Sequence, residues 1–279
     1  MRRGLLDHSD WEKISQKIPD LEKLRGMALH FAPDFLSMNF KPESTVPEAS
    51  VCLNDALRTL EQAVYALSEV FAHQVWYLEK KDPPSKMAAA FFGRFYADDV
   101  ALRLYSAGEQ YLVDAIKKML EISEKQLAPY KMERKKKYKR EEINPRKITR
   151  LEIVGDFLSA QETVYPFTEA IASLADLKEW KTTVDYRNRW VHEQPPTVKG
   201  LGIVYKRGRR WKPLLTGKGY TLGIGGGDKP EYSVDKLVKF IQPAMFKFTD
   251  TLTSVVKFYT ELLKDAGKLT VQPLDKGEQ

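Results

Sequence analysis

The sequence predicts a mainly α-helical protein: a helical bundle preceded by an N-terminal helical extension and interrupted by a small β-hairpin before its last helix. Three observations support this prediction. Apolar residues recur at three- and four-residue steps in several long segments, as they do along one face of an amphipathic helix. Prolines and capping residues separate these segments. Glycines instead crowd into residues 197–229, where short apolar runs are typical of strands.

The N-terminal part of the chain, residues 1–84, is predicted to be a helical extension that packs on the main body. Ser9 begins a capping-box pattern with the residue three positions later, which predicts a short helix after it. The pattern also predicts a second short helix over residues 21–31. A further capping-box pattern at Thr45 starts a long amphipathic helix that continues to about Lys81.

Residues 85–264 carry the predicted bundle, and the polar residues 265–279 are expected to form a loose tail. Ser85 can cap a helix that keeps its apolar period as far as Leu120. Glu109 lies in this helix and is expected to be a solvated position.

Three more helices are predicted in the rest of the bundle. One covers residues 147–165, directly after Pro145. The apolar stripe over residues 167–191 then indicates a single helix. The last helix begins at Ser233, and Pro243 should kink or split it.

The glycine-rich insertion, residues 197–229, is predicted to contain short strands and most simply a hairpin. Its strands are expected over residues 201–205, 211–215 and 220–224. The turn after the first strand is basic, because it contains Arg207, Arg209 and Arg210.

Composition limits the function classes more than it selects one. The 279 residues carry a formal net charge of +7, which favours an acidic partner such as nucleic acid without requiring one. Cys52 is the single cysteine, so no intrachain disulfide can form, and the four histidines are scattered, so neither a metal site nor a cofactor is predicted. No stretch approaches the ~20 apolar residues of a membrane span, and we expect a cytoplasmic protein.

A strongly basic run occupies residues 131–140 and allows two interpretations. It can be a self-repelling, mobile linker. It can also be a phosphate-binding segment in which Lys135, Lys136 and Lys137 contact phosphates and Tyr138 stacks on a base.

The most specific pattern lies at the end of the helix predicted over residues 167–191. There Arg187 and Asn188 are followed, after three residues, by His192. On a helical wheel Asn188 falls about 40° from Val184, inside the apolar face, with Arg187 and His192 on its opposite margins. A polar side chain on a face meant for burial is costly unless it is hydrogen-bonded, and such exceptions occur at functional sites.

Histidine beside arginine suits chemistry on a phosphodiester. His192 can move protons, and Arg187 can stabilise charge on phosphoryl oxygens. The helix C-terminus favours the imidazolium, whereas Arg187 and Arg189 oppose it, so the sequence does not fix the protonation state. A purely structural motif that joins the hairpin to the bundle stays an alternative.

The run from Arg187 and Asn188 to His192, late in a helical bundle, resembles the HEPN superfamily. Residues 102–109 are also similar to the early core helix of some prokaryotic members. The resemblance covers residues 85–264 and implies a HEPN-like up-and-down helical bundle that forms homodimers.

The resemblance also implies an activity. Many HEPN proteins are metal-independent endoribonucleases of toxin–antitoxin or antiviral systems. By analogy, His192 is the general acid or base, Arg187 neutralises the scissile phosphate and Asn188 orients the pair. An antitoxin or regulatory protein would be a further partner, and a non-catalytic domain that binds RNA or protein is the alternative. The basic side chains expected to bind RNA are Arg189, Lys135, Lys136, Lys137, Arg207, Arg209 and Arg210.

Overall fold

The computed structural model is mainly helical, as predicted. It describes residues 6–28, 44–144, 147–192, 196–201, 210–213, 220–223 and 229–265. The helices within these ranges are α1 (His8–Ser15), α2 (Glu22–Ala28), α3 (Val46–Val75), α4 (Lys86–Tyr105), α5 (Val113–Met119), α6 (Glu124–Arg140), α7 (Arg150–Ser159), α8 (Thr168–Asp176), α9 (Lys178–His192) and α10 (Val234–Asp265).

A single large hydrophobic core joins most of these helices. Helix α3 packs along α4 and α5, while α10 packs against α4, α8 and α9, and α7 lies between α6 and α8. Leu60 of α3, Leu104 of α4 and Phe248 of α10 are fully buried in this core. Helix α3 falls within residues 1–84, so part of the segment assigned to an extension belongs to the same core as the bundle.

Two of the predicted helix starts use other side chains than the sequence suggests. The capping box of α1 is formed by Asp7 and Asp10, two positions before the predicted pair at Ser9 and Glu12. Thr45 precedes α3 with αR backbone angles and makes no side-chain capping hydrogen bond, and its hydroxyl donates to the carbonyl of Lys118 at 2.8 Å. The predicted cap of α4 is confirmed, since Ser85 Oγ accepts from the amide of Ala88 at 3.3 Å.

Helix α4 continues into a π-helical segment, Ser106–Leu112, which brings α9 close to it. A Cβ atom added to Gly108 would come within 2.5 Å of the Trp180 ring, so glycine permits this approach. The expectation that Glu109 is solvated is wrong, because the residue is only 1% exposed. The π-helical turn departs from the regular period of 3.6 residues, and a helical wheel cannot place its side chains correctly.

The predicted stripe over residues 167–191 is two helices, not one. Leu177 is extended (ψ 122°) between α8 and α9, and it turns the chain there. The helix predicted over residues 147–165 is shorter and corresponds to α7. Helix α10 is not split, since it runs without interruption through Pro243.

Two short strands lie in the glycine-rich insertion. Strand β1 (Arg210–Pro213) pairs antiparallel with β2 (Tyr220–Gly223), with Trp211 opposite Leu222. The predicted turn containing Arg207 and Arg209 lies outside the described residues. Among the helices of the described ranges, none is long and apolar enough to cross a membrane.

Candidate functional site

Helix α9 carries the candidate site, and its first half is fixed in the core. Trp180 is fully buried and stacks on Phe248 with ring centroids 5.7 Å apart. Its Nε1 donates to Glu109 Oε1 at 3.2 Å. Glu109 Oε2 accepts in addition from the amides of Arg150 and Leu151, at the start of α7. One buried carboxylate therefore ties α9 to the N-terminus of α7.

Burial changes the protonation of this carboxylate. Desolvation raises the pKa of Glu109 to about 7, against the lowering effect of the hydrogen bonds from Leu151, Trp180 and Arg150. Near neutral pH the group consequently titrates within the core. Glu109 has a structural role, because it contacts the first half of α9 and lies away from the exposed C-terminal end of that helix.

A second buried contact fixes the middle of α9 on α4. The Tyr186 hydroxyl donates to Asp98, which also pairs with Arg94 at 3.3 Å and interacts with Trp190. Burial raises the pKa of Asp98. Trp180 lies against Gly108, whereas Tyr186, later in α9, contacts the earlier residue Asp98, so α9 runs antiparallel to α4 and its continuation. Residues of α4 before Asp98 therefore lie towards the C-terminal end of α9.

The three motif side chains meet at that end. The guanidinium of Arg187 lies over the Tyr105 ring, 3.9 Å from its centroid. Its Nη1 donates to Asn188 Oδ1 at 3.0 Å and lies 3.3 Å from Nε2 of His192. His192 is exposed. The expectation that Arg187 and His192 lie apart on opposite margins is wrong, because the long arginine side chain reaches across the five-residue separation.

The guanidinium of Arg187 faces the ring nitrogen Nε2 of His192. A guanidinium only donates hydrogen bonds, so the contact is a hydrogen bond when Nε2 carries no proton. A general base uses the same lone pair, so Nε2 takes a proton from a substrate only after Arg187 has turned away from it. The buried Nε of Arg187 has no hydrogen-bond partner in the described part of the chain. Unsatisfied buried polar atoms are rare and are found at strained or functional positions.

Other residues of the motif have different surroundings from those predicted. Val191 ends the apolar stripe predicted over residues 167–191, which places it in the core. It is instead 41% exposed and does not belong to the core. Asn188 is half-buried. Arg189 forms an ion pair of 2.6 Å with Glu231, whose amide donates to the Thr197 hydroxyl. Arg189 thus joins the end of α9 to the segment that leads into α10, and Glu231 engages its guanidinium.

A cleft of about 420 Å³ lies beside the motif, between α6, the start of α7 and α9. Asn188 lines one end of the cleft, and Lys137 from the basic run lines another wall. The remaining lining residues are Arg134, Tyr138, Glu141, Ile143, Lys147, Thr149, Asp176, Lys178, Lys181, Thr182, Val184 and Asp185.

The basic run is a helix, which excludes the mobile-linker interpretation. Lys135, Lys136 and Lys137 are all exposed on α6, but only Lys137 lines the cleft. Tyr138 is not available for stacking on a base: it is 7% exposed, and its hydroxyl donates to the buried Glu152 at 2.6 Å.

The predicted RNA contacts are therefore separated by the fold. Lys137 lies at the cleft, Arg189 is bound to Glu231, and Arg207 and Arg209 lie outside the described residues. Arg210 begins β1, and its side chain is not described.

Sequence reasoning missed two kinds of residue at this site. Tyr105 and Asp98 support α9 from α4, and no sequence signal connects them with it. Lys178 and Lys181 line the cleft, and a signal for them was present. They precede Asn188 on α9 at helical spacing and so share its face.

The comparisons with known proteins add no assignment. No protein-family model, curated protein or solved structure matches this chain.

Proposed function

We propose that this protein is a metal-independent endoribonuclease of the HEPN type that acts as a homodimer. One observation carries the proposal. Nη1 of Arg187 lies 3.3 Å from Nε2 of the exposed His192. One surface therefore places a cation that can bind phosphate beside a group that can accept a proton. Asn188 holds Arg187 in place through Oδ1, and Tyr105 supports its guanidinium from below.

These groups supply what RNA cleavage requires. Neutral His192 takes the proton from a ribose 2′-hydroxyl, and the 2′-oxygen attacks the adjacent phosphorus. Arg187 neutralises the charge that develops on the phosphoryl oxygens. The bond to the 5′-oxygen breaks, and a protonated imidazole donates its proton to that oxygen. The products are a 2′,3′-cyclic phosphate and a 5′-hydroxyl.

The reaction needs a base and an acid, and each chain offers one Arg187–His192 pair. A second copy of the chain would supply the other pair. An apolar stripe on α4 supports such a dimer: Met87, Phe91 and Phe95 recur at four-residue steps and are 70, 55 and 60% exposed. The three residues precede Asp98 in α4. Because α4 and α9 are antiparallel, this end of α4 lies near the end of α9 that carries His192.

The dimer is tested by placing charge in the stripe. Phe91→Glu with Phe95→Glu is expected to give a monomer by light scattering and to abolish cleavage, because charge is not tolerated in an apolar interface. Val164→Glu is the matched control, since Val164 is an 80% exposed apolar residue between α7 and α8. A stripe variant with the same mass as wild type, and undiminished cleavage, would remove this interface from the proposal.

The activity is tested with purified protein and labelled RNA in EDTA. Wild type is expected to produce 2′,3′-cyclic phosphate ends, and His192→Ala and Arg187→Ala to cut at least ~100-fold more slowly. His8→Ala and Arg58→Ala are the matched controls, since both residues are exposed on other helices. Binding without cleavage by wild type would indicate the non-catalytic alternative.

For the cellular setting we propose cytoplasmic action in a toxin–antitoxin or antiviral system, with an antitoxin or regulatory protein as partner. The support is the motif geometry alone. Expression of wild type is expected to arrest growth, and His192→Ala to relieve the arrest. Equal growth with both proteins would argue against a toxin.

A further inference from the structure

We propose that the cleft between α6, α7 and α9 binds the sugar-phosphate backbone of single-stranded RNA next to the scissile phosphate, with Lys137 and Lys178 as phosphate ligands. This inference rests on the proposed ribonuclease function and names the path of its substrate.

Three residues that line the cleft, Arg134, Tyr138 and Thr149, bind carboxylates of α7. Glu152 is buried and accepts from the Tyr138 hydroxyl at 2.6 Å and from the amide of Thr149 at 2.9 Å. Arg134 lies 3.6 Å from the same carboxylate and also pairs with Asp156. These contacts hold α6 against α7 on one side of the cleft.

The rim of the cleft has an excess of positive charge. Five cationic and three acidic side chains line it. Lys147 pairs with Asp185 at 2.8 Å, and Lys181 pairs with Asp176 at 3.1 Å.

Two cations remain after these pairings. Lys137 on α6 and Lys178 on α9 are exposed and form no ion pair within the described part of the chain. Of the three acidic lining residues, Glu141 is the one that takes part in neither of these two ion pairs. Two lysines on different helices of one cleft can each bind a phosphate and so release its counterions.

The cleft leads to the motif. Lys178, Lys181, Asp185 and Asn188 follow one another at three- and four-residue steps on one face of α9. At 1.5 Å per residue, Lys178 lies about 15 Å from Asn188 along the helix axis. Asn188 ends this row, and its Oδ1 accepts from Arg187 Nη1 at 3.0 Å. A strand that follows the row therefore arrives at the Arg187–His192 pair.

Lys137 and Lys178 are tested by RNA binding in a His192→Ala background, which prevents cleavage. The variant Lys137→Gln with Lys178→Gln is expected to weaken binding of labelled single-stranded RNA about tenfold and to reduce the slope of log K against log salt by about 1.4. The matched control is Lys125→Gln with Lys257→Gln, which removes the same charge from exposed positions outside the cleft. Thermal melting shows whether each variant folds.

The outcomes separate this inference from the proposed function. Equal affinity and equal salt slope in the cleft variant and its control overturn the cleft as an RNA site, also when wild type cleaves RNA. A cleft ligand of another class, such as an acidic protein segment, would give this result. A cleft-dependent slope in a protein whose wild type never cleaves supports the cleft and overturns the ribonuclease. Wild type that neither binds nor cleaves RNA overturns both.

Discussion

The two halves of α9 differ in how their polar groups are used. In the first half Trp180 is buried and donates to the buried Glu109, and at the boundary between the halves the buried Tyr186 donates to Asp98. In the last two turns, His192 is exposed and the polar groups contact each other. The difference indicates a division of labour along one helix, in which the first half holds the position and the second half presents the chemistry.

The largest effect on stability is expected from the first half. Trp180→Ala removes a fully buried ring that stacks on Phe248 and donates to Glu109, and it should lower the free energy of unfolding by about 3–5 kcal/mol. Urea unfolding measures the change. Trp180→Phe keeps a ring over Phe248 and should lose less. A loss below ~1 kcal/mol in Trp180→Ala would contradict a rigid first half.

The buried carboxylate beneath Trp180 makes stability depend on pH. The pKa of Glu109 is raised from 4.5 to about 7 in the folded state, so the folded state binds the extra proton between these values. Stability is therefore expected to fall as pH rises from about 4.5 to 7, by up to about 3 kcal/mol. Urea unfolding at several pH values should show this slope reduced in Glu109→Gln. The exposed control Glu162→Gln should keep the slope, and an equal slope in both variants would show that Glu109 is not the group.

The boundary between the halves is tested by removing one hydroxyl. Tyr186→Phe leaves the buried Asp98 without its tyrosine donor and should cost about 1–3 kcal/mol in unfolding free energy. The adjacent Arg187 keeps its contact with Tyr105, so cleavage per folded molecule should change little. A cleavage defect as large as that of Arg187→Ala would place Tyr186 in the reacting half.

The smallest effect is expected at Arg189. Its ion pair with Glu231 is partly exposed, with side chains 26 and 35% accessible, so Arg189→Gln should cost less than ~1 kcal/mol. RNA affinity should also change little, because the guanidinium is already bound to Glu231. A weakening of RNA binding equal to that of the Lys137 and Lys178 variant would return Arg189 to the binding surface.

The sequence predicted the mainly helical class, for a clear physical reason. Apolar periodicity reports the buried face of a regular helix, and α3 and α10 were found for that reason. The spacing of Arg187, Asn188 and His192 and their place at the end of a late helix singled them out together, and their side chains are in contact. The wheel nevertheless separated Arg187 from His192, because it places Cα positions and ignores the reach of a long side chain.

Contacts between distant segments could not be predicted in the same way. Tyr138 reads as an exposed aromatic in a basic run, and only the fold shows Glu152 opposite its hydroxyl. The sequence around Glu109 predicts a surface position, because no residue pattern there predicts the π-helical segment that directs the side chain into the core. The cleft was missed as a whole, since Lys137 and Asn188 come from helices far apart in the chain.

The division of labour within α9 is tested most directly by measuring cleavage rate and unfolding free energy together in His192→Ala. The account predicts a rate at least ~100-fold below wild type, in EDTA, with the free energy of unfolding within ~0.5 kcal/mol of wild type. A variant that cleaves RNA as fast as wild type, or one that loses activity only because it unfolds, would contradict it.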